Sequence, residues 1–153
     1  MAARPKQDRG AARPTELALG APATHKPLAA RMRPQELTDV VGQEQLVGER
    51  GALRRLVEGR RLVSMVLWGP PGVGKTTLAR LLAEAVDAPL EVLSATASGV
   101  ADVRKIVAAA HGWADRGGGS TVLFIDEIHR FNKSQQDTLL PHVEDGVITL
   151  IGA

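Results

Sequence analysis

The chain has 153 residues, 44% of them apolar, and no cysteine. That length suits one folded domain with a real core; the lack of cysteine excludes disulfides and thiol catalysis and fits a reducing compartment. The formal charge of +2 is uneven, because residues 1–26 set Arg4, Lys6, Arg9, Arg13 and Lys26 against Asp8 and Glu16, which gives them +3 and leaves −1 for the rest.

Residues 1–26 are rich in Ala, Pro, Gly and Arg and show no apolar periodicity, so they are expected to form a disordered basic tail. They lack the apolar stretch of a secretory signal, and Asp8 and Glu16 count against a transit peptide. A basic tail can meet nucleic acid through counterion release, but this composition fits a solvated leader. No apolar run reaches the roughly 18 residues that span a bilayer, so no membrane partner is expected.

The folded part is expected over residues 27–153. "PLAARMRPQELTDVVGQEQL" reads as loop and short helix. A helix follows over 49–58, with Leu53, Leu56 and Val57 on one face and Gly59 as its stop. "LVSMVLW" is a continuous apolar run and predicts a first strand. It enters "GPPGVGKTT" and then a helix that places Leu78, Leu81, Leu82, Ala85 and Val86 on one stripe. "LEVLS" predicts a second strand, and "SGVADVRKIVAAAHGWA" a helix with Val100, Val103, Val107 and Ala110 inward. "TVLFID" predicts a third strand, apolar on both faces as central parallel strands are. "KSQQDTLLPHVEDG" predicts a helix that Pro141 bends or ends, with Ser134 and Asp137 as a capping box. "VITLIG" predicts a fourth strand. Strands alternating with helices imply an α/β layered sheet.

"GPPGVGKT" fits G-x-x-x-x-G-K-[ST] at Gly69, Gly74, Lys75 and Thr76. It follows an apolar strand and opens an amphipathic helix, the context this phosphate loop requires. The loop residues Gly69, Pro70, Pro71, Gly72, Val73, Gly74, Lys75, Thr76 and Thr77 are therefore nucleotide-binding candidates. Glycines let the backbone curl round phosphate. The N–H groups of Gly72 to Thr77 meet it at the positive end of a helix. Lys75 neutralises the β- and γ-phosphates, and the Thr76 hydroxyl is a ligand for Mg²⁺.

"VLFIDEIH" brings two carboxylates to the C-terminal end of a buried strand, where ligands bind in open parallel sheets. Asp126 is expected to hold Mg²⁺ through water and Glu127 to orient and polarise the attacking water. With Lys75, Glu127 is the catalytic candidate. His25, His111, His129 and His142 lack metal-ligand spacing and read as surface or satisfied residues. Trp68 and Trp113 read as packing residues.

With "GPPGVGKTT" and "LFIDEIHR" the chain resembles the AAA+ ATPases. Upstream, "RPQELTDVVGQEQL" resembles the segment before the phosphate loop in clamp loaders and the Holliday-junction branch-migration motor, which implies that Val40, Val41 and Gly42 flank the adenine. "PLAARMRP", "SMVLWGPPGVGKTTLA", "SGVADVRK", "DEIHRFNKSQQDTLLPHVEDG" and "ITLIGA" together are similar to the replication-associated recombination protein A family, including its eukaryotic relatives that interact with the Werner helicase. The resemblance runs from Pro27 to Ala153.

It implies a P-loop NTPase (AAA+) parallel sheet flanked by helices, with ATP and Mg²⁺ as cofactors and ATP hydrolysis in the service of replication-fork maintenance and recombination. Implied partners are single-stranded or forked DNA, replication and recombination proteins, and further copies of the chain. The implied location is the cytoplasm, at the nucleoid. In the family, the segment after "IGA" carries a γ-phosphate sensor, followed by an arginine finger, a helical lid and an oligomerisation region. The resemblance thus implies an N-terminal part, truncated after the fourth core strand, that binds ATP with little turnover and leaves the first strand as an open edge. The alternatives are a branch-migration motor, a clamp-loader subunit, or, in another class, a non-hydrolysing nucleotide-dependent adaptor, against which Glu127 argues.

Overall fold

The computed structural model describes residues 28–153; the expected disordered tail and His25 lie outside the described residues. The chain divides into two units, Met1–Met32 and Arg33–Ala153. In the first, the described structure is a single helical turn, α1 (Leu28–Arg31).

In the second unit, β1 (Met65–Val66), β2 (Leu90–Ser94), β3 (Thr121–Asp126) and β4 (Ile148–Gly152) form a parallel sheet in the order β1-β4-β3-β2. Helices α2 (Glu44–Val47), α3 (Ala52–Glu58), α4 (Lys75–Ala85), α5 (Val100–Asp115) and α6 (Lys133–Glu144) connect and cover it. β3 sits between two neighbours and is buried from Thr121 to Ile125. Its side chains alternate between two cores, as a pleated strand requires. Val122 and Phe124 pack with Ala79, Leu82 and Ala83 of α4 and Leu53 of α3. Leu123 and Ile125 pack with Val103 and Ala110 of α5 and Leu139 of α6. Each of the valine, leucine, isoleucine and phenylalanine side chains contributes about 1.5–3 kcal/mol by leaving water. The α/β layered sheet read from the alternating pattern is what forms.

Strand β1 is far shorter than the apolar run that predicts it. It pairs with β4 alone, as Met65 with Ile151 and Val66 with Gly152. At its start, the Ser64 hydroxyl takes the Leu150 N–H at 3.0 Å in place of a backbone carbonyl. Beyond it, the Leu67 N–H still reaches the Gly152 carbonyl at 2.7 Å.

Three helices differ from expectation. The helix predicted over 49–58 starts at Ala52, because Gly51 is buried with the Leu46 carbonyl 2.2 Å from where a Cβ would stand, and a separate turn, α2, precedes it. Helix α4 meets the sheet through Ala79, Leu82 and Ala83, all at 0% exposure, while Ala85 is exposed. Small residues allow the closer approach, so the buried line is rotated from the leucine-led stripe. Helix α6 runs through Pro141 to Glu144. Pro141 is exposed and lies in the last turn, where the Asp137 carbonyl it leaves free faces water. The capping box of α6 is also set two residues earlier. The Asn132 side chain accepts from the Gln135 N–H at 3.0 Å, and the Gln135 side chain accepts from the Asn132 N–H at 2.9 Å.

Candidate nucleotide-binding site

The phosphate loop lies between β1 and α4. Gly72 and Gly74 have φ of +82° and +90°, and a Cβ at either would meet nothing within 4 Å. Backbone conformation, not crowding, therefore requires glycine at these two positions. Gly74 is the N-cap of α4, and its carbonyl takes the Leu78 N–H at 2.8 Å. The N–H groups of the first turn stay free for an anion. Lys75 is half-buried, and its ammonium donates to the carbonyls of Gly69 at 2.8 Å and Pro70 at 3.2 Å. The charge is thus held at the mouth of its own loop.

Sheet register brings the acidic pair to the same end. Asp126, the last residue of β3, pairs with Ser94 of β2. Its carboxylate accepts the Glu127 N–H at 3.1 Å. Glu127 adopts φ +54° and ψ 45°, a left-handed conformation uncommon outside glycine. Such a conformation costs of order 1–3 kcal/mol and is typical of functional turns. Its carboxylate lies 3.4 Å from Arg130 Nε, an exposed pair that orients more than it stabilises. Between the loop strand and the acidic strand runs the end of β4. Gly152 pairs with Val66 on one side and Ile125 on the other. A Cβ on Gly152 would stand 2.6 Å from Ile128 Cδ1, so the turn carrying Glu127 packs directly on that glycine.

Two adjoining hollows meet here. One, of about 770 Å³, is lined by Gly69, Lys75, Thr76, Arg80, Asp126 and Glu127. The other, of about 530 Å³, is lined chiefly by apolar residues, among them Val40, Val41, Leu46, Met65 and Val73. They share Val66, Leu67, Trp68, Gly72, Gly74, Lys75 and Thr77. An apolar cavity opening onto a cationic loop and two carboxylates has the chemistry that a nucleotide requires.

The structure thus brings Val40 and Val41 to the apolar hollow and Thr76 and Asp126 to the polar one. Gly42 faces elsewhere, in a separate surface depression with Gln43 and Glu44, at φ +79°. Pro70 contributes its carbonyl to Lys75 and lines neither hollow. The donor set for Mg²⁺ is hard oxygen, a hydroxyl and a carboxylate, both exposed into one cleft. Mg²⁺ takes one or two such protein ligands and keeps water on its other positions, so the residues fit the ion.

Sequence reasoning passed over several lining residues. Trp68 is no packing residue: it is 97% exposed and walls both hollows. Arg80 stands four residues after Thr76 on α4, one helical turn further along the same face, and that spacing was available in the sequence. Arg33 and His129 carried no local signal. Trp113 does pack, with its indole against Gly118.

The sequence profile of the family described as "Holliday junction DNA helicase RuvB P-loop domain" matches residues 32–153. The chain belongs to this family of AAA+ P-loop domains. It is 52% identical to the Replication-associated recombination protein A of Escherichia coli (strain K12) over 131 residues, which is 85% of this chain and 29% of that protein. It is 47% identical to the ATPase WRNIP1 of Dictyostelium discoideum over 127 residues, 83% of this chain and 14% of that one. Among solved structures, the Thermotoga maritima RuvB Holliday junction branch migration motor aligns with a TM-score of 0.64 at 33% identity, covering 80% of this chain and 41% of its own. The chain therefore spans less than a third of the length of these curated relatives.

Proposed function

We propose that this chain is the ATP-binding part of an AAA+ ATPase that acts in replication-fork maintenance and recombination. The observation that carries the proposal is the meeting of Lys75, Thr76, Asp126 and Glu127 in one cleft that opens onto an apolar cavity. Val40 and Val41 take the adenine, with Gly42 shaping the turn that follows them. Residues Gly69 to Thr77 wrap the phosphates, and Lys75 leaves its loop carbonyls to meet the β- and γ-oxygens. Thr76 and Asp126 would hold Mg²⁺, which supplies charge neutralisation on the phosphates. Glu127 orients the attacking water and takes its proton.

The names of the relatives support the role in replication and recombination and the choice of ATP. DNA, partner proteins and self-association follow from the same likeness, and action at the nucleoid follows from DNA. A branch-migration motor is the second reading, favoured by the likeness to the Thermotoga maritima structure. The higher identity to the recombination proteins, 52% against 33%, favours the first.

The test is steady-state ATP hydrolysis by a protein of the relatives' length, with and without forked DNA, beside its Glu127→Gln variant. The variant is expected to bind ATP as the parent does and to lose hydrolysis. Turnover at the parent rate would mean that another residue positions the water.

A further inference from the structure

Away from the nucleotide cleft, two histidines that the sequence leaves scattered are brought together. His111 on α5 and His142 on α6 are 31 residues apart, and their rings meet between the two helices. His111 Nε2 lies 3.2 Å from His142 Nδ1. The rings are edge to face, with centroids 5.1 Å apart and planes at 88°. Both residues are half-buried, so the pair is fixed by the helix packing yet open to solvent on one side.

A hydrogen bond between two neutral imidazoles accounts for the contact, but at the long end of the usual range of about 2.7–3.2 Å. The spacing also suits a shared metal ion. With Zn–N bonds of about 2.0–2.1 Å, two nitrogens on one tetrahedral zinc stand about 3.3–3.4 Å apart. The required change is about 0.1–0.2 Å in spacing plus a turn of roughly 35° at each ring, which brings both lone pairs to one point on a tetrahedral ion. One ring exchanges its tautomer, and no proton need be lost from the pair.

We propose that His111 and His142 form an exchangeable binding site for a borderline divalent cation of the Zn²⁺ class, clamping α5 to α6. Imidazole is the ligand that such ions prefer once thiolate is absent, and this chain has no cysteine. Among the described residues no third His, Cys, Asp or Glu joins the pair. Water completes the coordination, and the ion exchanges freely, unlike the ion in a four-ligand structural site. Asp115, the last residue of α5, and Asp145, the C-cap of α6, add negative charge to this end of the helix pair. The helices so joined cover one face of the sheet, and α6 is the next helix after the Glu127 turn.

The test is a calorimetric titration with Zn²⁺ in excess Mg²⁺, which competes for carboxylate oxygens but not for imidazole, on the parent chain and on His111→Ala, His142→Ala and His129→Ala. One-to-one binding is expected in the parent and in His129→Ala, and is lost in the other two. Zinc in hundredfold excess over its dissociation constant should lower the unfolding equilibrium constant about 100-fold in the parent and leave His111→Ala unmoved. Absence of saturable binding, or binding indifferent to both helix histidines, would overturn the proposal. Should a variant fail to fold, Cu²⁺ electron paramagnetic resonance on a His25→Ala, His129→Ala background decides. Coupling to two nitrogens supports the site, and coupling to one or none refutes it.

Discussion

Lys75 is held by two carbonyls of its own loop, and a phosphate must replace both. A charge-assisted hydrogen bond is worth about 1.5–3 kcal/mol, and about 1.4 kcal/mol is a factor of ten in affinity. Lys75→Ala is therefore expected to weaken nucleotide binding by roughly 100-fold while leaving the fold intact, as calorimetry and circular dichroism would show. Gly152 is the less obvious position. Its missing Cβ leaves room for Ile128, whose Cγ2 would be only 3.0 Å away and whose N–H is pinned to the Ala153 carbonyl at 2.9 Å. Gly152→Ala should cost about 1–3 kcal/mol in urea unfolding, and it should lower turnover in the longer protein, because Ile128 moves with Glu127. The loop and the acidic pair were legible because their chemistry is local: spacing alone selects Lys75, Thr76, Asp126 and Glu127. Gly152, Arg33 and Trp68 were not, because what each touches depends on strand register and on which side of a turn it leaves the sheet.

Strands β2 and β3 form where the apolar runs place them, with the same ends. Burial on both faces leaves the central β3 little choice of extent, and β2, an edge strand, is held by pairing all five of its residues with β3. β1 lacks both constraints, since only Met65 and Val66 pair with β4 and the Ser64 hydroxyl stands in for a backbone carbonyl. In α4 the misjudged stripe follows from weighing leucines above alanines; Ala79 and Ala83 matter because they are small. In α6 the proline does not end the helix. Near a C-terminus its missing N–H releases a single carbonyl, and that carbonyl reaches water. It still carries a cost, because Pro141 is helical without an N–H to give. Pro141→Ala should restore that bond and raise stability by about 1–3 kcal/mol, read as a higher urea midpoint with unchanged slope. An unchanged midpoint would mean that the ring's packing or its restriction of the unfolded chain offsets the lost bond.

The second unit places its chemistry at one end of a parallel sheet. β1 delivers the phosphate loop, β3 delivers Asp126 and Glu127, and β4 lies between them ending in Gly152. The apolar hollow exists because the segment before α3 brings Val40, Val41 and Leu46 to the side of that loop. Sequence pattern conveys the alternation of strands and helices but not the order β1-β4-β3-β2, which depends on pairings distant in the chain. Nucleotide binding is the property on which everything else depends. The measurement to make is a calorimetric titration of the 153-residue chain with Mg-ATP, alongside Lys75→Ala. The arrangement predicts saturable one-to-one binding by the parent and binding weaker by roughly 100-fold in the variant. A folded parent that gives no saturable heat, or a variant that binds as well as the parent, would contradict it.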